Sequence, residues 1–374
     1  MAQNDQADRV PELDGVRGLA ILMVLFFHIL KRADNLTSSN LLHSITSIAR
    51  IGWVGVDIFF VLSGFLITSI LLKTRDKPHY FKNFYVRRIL RIFPLYYIVI
   101  IGLLLFLPVL DPDTAAGTQA LWPFFILYQQ NWVYIAKPGP SAFLVVTWSL
   151  AIEEQFYMIW PAIVKFFSKR QMVFIGVGII LFSLMMRIIL TMLAIRDFPT
   201  KDFFYYGSVT RFESLAAGAL VAIISRSSEW KNRLGKYSKL GFTLSILGFG
   251  ATLFGSSLSP TSNNSNLAIW GYTLLAMIGS TLIMILITQP ENSWVRVTFR
   301  NKILSFFGKY SYSMYLLHMP ILLVLWNYFT GVKRQSFAVW LTFILISFFG
   351  TIVASLLTWH LLEKHAIGLK KYFE

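Results

Sequence analysis

Residues 16–33 read VRGLAILMVLFFHILKRA. The run is apolar and close to the ~20 residues that cross the hydrocarbon core of a bilayer as a helix. Inside it stands His28, with Arg17 eleven positions before it. A charged Arg, Lys or Asp near the centre of a membrane helix costs roughly 2.5–3.5 kcal/mol, so an ionisable residue there usually marks function. At ~100° and ~1.5 Å per residue, Arg17 and His28 fall on nearly one helix face, ~16 Å apart along the axis. A cation at the mouth and a titratable base within suit an anionic donor whose reactive end reaches inward. The run is expected to be a retained helix rather than a cleaved leader, because no small-residue cleavage site follows, a histidine interrupts it, and Lys31 and Arg32 close it.

Working outward, the same pattern recurs along the chain. Of 374 residues, 56% are hydrophobic and 14% are charged, whereas soluble domains carry about 25% charged residues. This predicts an all-α, polytopic membrane protein of about ten transmembrane helices. The expected spans are 16–33, 51–72, 92–110, 146–166, 171–192, 205–225, 240–257, 268–288, 303–327 and 337–361. The stretch 119–135, apolar but holding Pro123, is expected to be re-entrant or interfacial. With both termini cytoplasmic, 24 of the 34 Lys and Arg fall on inner segments and eight on outer loops: Lys31, Arg32, Arg50, Lys137, Arg196, Lys201, Lys333 and Arg334. That bias follows the positive-inside rule. The net charge of +16 then needs no nucleic acid partner, because basic loops face anionic membrane lipids. The chain has no cysteine, which removes disulfides and thiolate chemistry. Glycosylation sequons at Asn35 and Asn263 fall outside in this topology. No zinc, P-loop or serine-elbow pattern is present, and no metal is expected.

Other polar residues stand in apolar runs. Asp57 lies among Val, Ile and Phe in the second span. A buried carboxylate needs a partner, and Asp57 either orients His28 or ties two helices together. Arg87, Arg88 and Arg91 directly precede the third span; Arg88 and Arg91 share a helix face, and arginine forks suit phosphates. Adjacent Glu153 and Glu154 point about 100° apart; one could pair with Arg187 or Arg211 and the other line a cavity. Arg211 and Glu213 read as an intrabundle ion pair. In the ninth span, His318 lies with Tyr312 and Tyr315 near its face, either cavity-lining or a satisfied core histidine.

The segments ELDGVRGLAILMVLFFH, GVDIFFVLSGFLI, RRILRIFPLYY, WSLAIEEQFYMIWP, RFESLAAGAL and SYSMYLLHMP occur in this order. Together they resemble the acyltransferase-3 family of bacterial integral-membrane acyltransferases. The family's arginine–x10–histidine element maps to Arg17 and His28, and its arginine cluster to Arg88 and Arg91, with Arg87 adjacent. The resemblance implies a multi-pass protein of the bacterial inner membrane. It implies transfer of an acyl group, most often acetyl, from cytoplasmic acyl-coenzyme A to a hydroxyl of a carbohydrate, glycolipid or small molecule. Arg17, Arg87, Arg88 and Arg91 are then expected to hold the donor's phosphates, with His28 as general base oriented by Asp57 or Glu154. Glu153, Arg211, Tyr315 and His318 are expected at the substrate or cavity wall, with Tyr315 or His318 near the oxyanion. Residues 1–374 are expected to form one integral-membrane acyltransferase domain, a stand-alone form without a soluble domain. A transporter of lipid-linked sugars or a non-catalytic scaffold would use the same buried charges otherwise.

Overall fold

The computed structural model describes residues 10–37, 39–136, 139–193, 199–254, 266–330 and 336–373. Arg9, Lys137, Arg196, Lys333, Arg334, the Asn263 sequon and residues 255–257 of the expected seventh span lie outside the described residues. Among the described residues every regular element is helical.

In chain order these helices are α1 (Glu12–Ala33), α2 (Asn40–Ala49), α3 (Gly55–Thr74), α4 (Tyr80–Leu110), α5 (Pro112–Ala120), α6 (Trp122–Ile126), α7 (Gln130–Val133), α8 (Thr147–Phe166) and α9 (Lys169–Leu193). Then come α10 (Thr200–Tyr206), α11 (Ser208–Ile224), α12 (Ser228–Leu253), α13 (Tyr272–Thr288), α14 (Trp294–Phe299), α15 (Lys302–Lys309), α16 (Ser311–Thr330), α17 (Phe337–Thr358) and α18 (Lys364–Gly368). The described part of each expected span is helical, but two are divided: 205–225 at Gly207 between α10 and α11, and 303–327 at Tyr310 between α15 and α16. Among the described residues, seven helical stretches are long and apolar enough to cross a membrane: Glu12–Leu36, Asn40–Thr74, Tyr80–Leu110, Lys169–Leu193, Thr200–Ile224, Leu267–Thr288 and Phe337–Phe373. The other three expected spans are α8, α12 and α16, which carry more polar side chains.

The bundle has a centre and a rim. The apolar window of the stretch ending in α11 is 78% buried, whereas that of α9 is 17% buried. In water such an exposed apolar surface would be costly; in lipid it is the ordinary outer face. The centre is α1, α3 and α11, which approach closely. A Cβ on Gly64 would run into the Leu215 carbonyl of α11, and one on Gly218 into the Val61 carbonyl of α3. Small residues at such crossings let backbones touch where no hydrophobic effect drives helices together. Gly55 likewise faces the Ala20 carbonyl of α1.

The stretch 119–135 is not one helix. It breaks into α6 and α7, with Tyr128 at φ 54° in the left-handed region between them. Irregular backbone at membrane depth survives only where protein satisfies it. Here Gln155 Nε2 donates to the Tyr128 carbonyl and to Asn131 Oδ1, both at 2.8 Å. Asn131 Nδ2 donates to Ser208 Oγ at 3.0 Å, and Ser208 Oγ donates to Gln155.

Candidate active site

A cavity of about 140 Å³ lies between α1, α3, α4, α8 and α16. Its wall on α3 runs from Val56 to Ile70, ~21 Å at 1.5 Å per residue. Arg17, Arg88, Arg91 and Glu153 supply charge to the lining; Phe59, Phe60 and Leu150 supply apolar surface; Ser149 and Tyr315 stand at the Val56 end. The volume is below the ~300 Å³ of pockets that enclose a whole drug-sized ligand. It therefore suits one arm of a ligand rather than all of it.

The arginines differ in how far they are compensated. Arg17 Nη1 pairs with Asp14 Oδ1 one turn earlier, at 3.2 Å. Arg88 Nε donates to Glu154 Oε1 at 3.1 Å, Nη2 lies 3.9 Å from Glu153 Oε2, and the guanidinium sits 3.7 Å over the Tyr157 ring. Glu153 Oε1 also accepts from Ser63 Oγ at 2.7 Å. Both adjacent glutamates thus face Arg88, and Glu154 holds that guanidinium rather than an imidazole. Arg87 does not line the cavity: its Nε donates to the Phe373 carbonyl at 2.9 Å.

His28 and His318 meet just beyond the Tyr315 end. His318 Nδ1 faces the carbonyls of Tyr315 at 2.7 Å and Met314 at 3.1 Å. A carbonyl can only accept, so this nitrogen carries the hydrogen of the neutral ring, and His318 Nε2 keeps a lone pair. That lone pair faces His28 Nδ1 at 3.1 Å, which also lies 3.1 Å from the Val24 carbonyl. All of its neighbours accept, so His28 Nδ1 bears the hydrogen and His28 Nε2 keeps its lone pair. The assignment follows from the hydrogen-bond network. The Tyr315 hydroxyl donates to the Val146 carbonyl at 3.1 Å and shares a 2.6 Å hydrogen bond with Ser149 Oγ. Neither His28 nor His318 lines the cavity itself; Tyr315 does, and its ring lies 5.8 Å from that of His318.

Asp57 does not meet His28. It forms a fully buried ion pair with Arg211, Nη2 to Oδ1 at 2.9 Å, and accepts from Ser214 Oγ at 3.1 Å. The rings of Tyr272 at 4.3 Å, Phe60 at 5.6 Å, and Trp148 and Tyr205 at 5.7 Å surround the Arg211 guanidinium. Cation–π attraction strengthens when water is excluded. Glu213 pairs with Arg187 at 2.7 Å, not with Arg211. These two buried pairs hold α3, α9 and α11 together.

Four residues here were not singled out by sequence. Ser63, Ser149 and Tyr157 are ordinary in apolar helices, and nothing local distinguishes them. Glu363, 4% exposed and accepting from Ser313 Oγ at 2.7 Å, stands in a basic stretch that reads as a helix end. Among the described residues, no group of three or more His, Asp or Glu side chains is placed to hold a metal ion.

A family model described as "Acyltransferase domain" matches residues 10–360. The chain is 33% identical over 339 residues to the peptidoglycan O-acetyltransferase OatA of Listeria monocytogenes, a match covering 84% of this chain and 49% of that protein. It is 28% identical over 334 residues to the O-acetyltransferase OatA of Staphylococcus aureus, covering 86% of this chain and 52% of the other. The chain spans about half the length of the curated relatives it matches. No solved structure matches it. A match over nearly the whole chain, on the segments that build the cavity and the histidine pair, shows that the chain belongs to the acyltransferase-3 family.

Proposed function

We propose that this chain is a membrane O-acyltransferase. It moves an acyl group, in the simplest case acetyl, from cytoplasmic acyl-coenzyme A to a hydroxyl of a carbohydrate or glycolipid acceptor. Family membership and the names of the relatives support acyl transfer. The observation that carries the mechanism is the hydrogen-bond chain from the Tyr315 carbonyl through His318 to His28, which leaves the lone pair on His28 Nε2.

His28 Nε2 takes the acceptor's hydroxyl proton as the oxygen attacks the thioester carbonyl. The carbon–sulfur bond then breaks, and the thiolate leaves as coenzyme A with the proton from His28. His318 fixes the tautomer, the task a carboxylate performs in other histidine sites. Arg17, Arg88 and Arg91 at the cavity wall suit donor phosphates, and the apolar wall along α3 suits the thioester arm. Glu153 and Glu154 position Arg88. Ten spans with both termini cytoplasmic, in the bacterial cytoplasmic membrane, fit the excess of basic residues on inner segments and bring donor and acceptor in from opposite sides.

The test is consumption of labelled acetyl-coenzyme A by purified protein in nanodiscs, with and without host glycans and glycolipids. Acceptor-stimulated release of coenzyme A should fall by about 10²–10⁴ in His28→Ala, the range that positioned acid–base help supplies. Full activity in that variant would end His28's role as base. A wild type that binds no coenzyme A would point to transport of a lipid-linked sugar.

A further inference from the structure

A groove of about 390 Å³ lies between α4, α16 and α17, and it shares no lining residue with the cavity described above. Leu103 and Leu110 line it from α4, Pro320 and Val324 from α16, and Ile346 and Gly350 from α17. Its volume is on the scale of about 300–1,000 Å³ that ligand pockets occupy. Two residues make the room. Gly350 has no side chain, and a Cβ there would meet only Ile321, at 3.8 Å. Pro320 interrupts the hydrogen bonding of α16, as proline does inside a helix. Every lining residue is apolar, and Val324 and Ile346 are exposed, so the groove opens toward lipid.

The two ends of the groove differ. Pro320 follows His318 by two residues, and His318 Nε2 lies 3.1 Å from His28 Nδ1. At the other end, Trp326 follows the lining residue Leu325, and the Arg32 guanidinium stands 5.6 Å over its ring. Asn327 Nδ2 donates to the Leu110 carbonyl at 3.4 Å and ties α16 to α4 there. Arg32 is half-buried, and its guanidinium makes no hydrogen bond or ion pair with a described residue. The acids that flank this rim in sequence are engaged elsewhere. Asp34 is held by Arg50, His43 and Thr46, and Asp111 by Thr114 and Ser141. On the proposed topology Arg32 stands on the outer side, so the positive-inside rule does not account for it. A guanidinium offers five donors in a fork that suits a phosphate. Arg32 lies four residues beyond His28, ~6 Å along one helix face, which is the scale of a sugar ring.

We infer that the groove seats the hydrocarbon chain of a phosphate-linked glycolipid, with its phosphate on Arg32 and its first sugar beside His28. That this lipid is the acyl acceptor rests on the proposed function; its binding does not. The test offers a long-chain alkyl phosphoryl glucose, with a photoreactive diazirine in the chain, to the full protein in nanodiscs of neutral lipid. The comparison probe is the alkyl glucoside of the same chain without the phosphate. The variants are Arg32→Gln, Arg32→Lys, Gly350→Leu and, as a control at another exposed cation, Lys201→Gln.

Cross-links should map to α4, α16 and α17 around the groove. Loss of one charge-assisted contact should weaken the phosphate probe about tenfold in Arg32→Gln. Arg32→Lys should recover much of that affinity, and Lys201→Gln should change it less than about twofold. Gly350→Leu, whose Cβ meets no clash, should fill the groove and weaken both probes about tenfold. Equal affinity with and without the phosphate, cross-links elsewhere, or no effect of Arg32→Gln or Gly350→Leu would overturn the inference. Full displacement of the probe by an equal amount of phosphatidylglycerol would also overturn it, by assigning the groove to ordinary membrane lipid. Groove-dependent binding that does not stimulate release of coenzyme A from acetyl-coenzyme A would keep the site and remove the acceptor reading.

Discussion

A neutral imidazole has one N–H, and at His28 that hydrogen is committed on the Nδ1 side by His318 and the Val24 carbonyl. His28 itself was legible in the sequence, because a histidine in an apolar run is costly enough to stand out. Its partner was not. Asp57 lies at a suitable depth, but depth does not fix the rotation of a helix about its axis, and in the fold Asp57 faces α11. There it pairs with Arg211, both groups fully buried. Removing one member of a buried pair strands the other, which costs about 3–5 kcal/mol, whereas replacing both with apolar groups of similar size is often neutral. Asp57→Asn should therefore lower the unfolding temperature clearly, and Asp57→Leu with Arg211→Met should recover most of the loss. A silent Asp57→Asn in thermal unfolding of the purified protein would show that the pair is not what holds α3 to α11.

The α3–α11 crossing depends on Gly64 and Gly218, each facing a backbone carbonyl of the other helix. A carbonyl cannot rotate away as a side chain can, so an added Cβ must push the helices apart. Overpacking of this kind typically costs 1–3 kcal/mol, occasionally more. Gly64→Leu should reduce the yield of monodisperse protein in size-exclusion chromatography more than Gly102→Leu, where a Cβ meets nothing within 4 Å. Equal yields would contradict the close crossing. The helices themselves were legible because apolar runs of this length have few other fates. So was the interruption at 119–135, since Pro123 argues against a continuous span. The network that supports that interruption was hidden, because Gln155 and Ser208 come from helices far along the chain.

Across the whole molecule, the proposed ten-span topology sets α2 and the α3–α4 connection on opposite sides. A chain without cysteine gives a clean background for checking this. Leu41 and Asp76 are both exposed, so single cysteines there should stay accessible. Leu41→Cys should react with an impermeant maleimide in intact spheroplasts, and Asp76→Cys only after lysis. The reverse pattern would invert the topology and move the arginine-lined mouth to the outer face. The cavity described above follows α3 for about two-thirds of a ~30 Å hydrocarbon core. Water filling it would carry the potential of the cytoplasm inward as far as Tyr315. The membrane voltage would then drop across the thin remaining layer that holds His28 and His318. A full charge crossing the membrane is worth about 2.3 kcal/mol per 100 mV. On the proposed topology and mechanism no net charge crosses that layer, because a proton and an acyl group change places. The transient charge on His28 would still form within the field, so the rate rather than the equilibrium of the step would respond to the membrane potential.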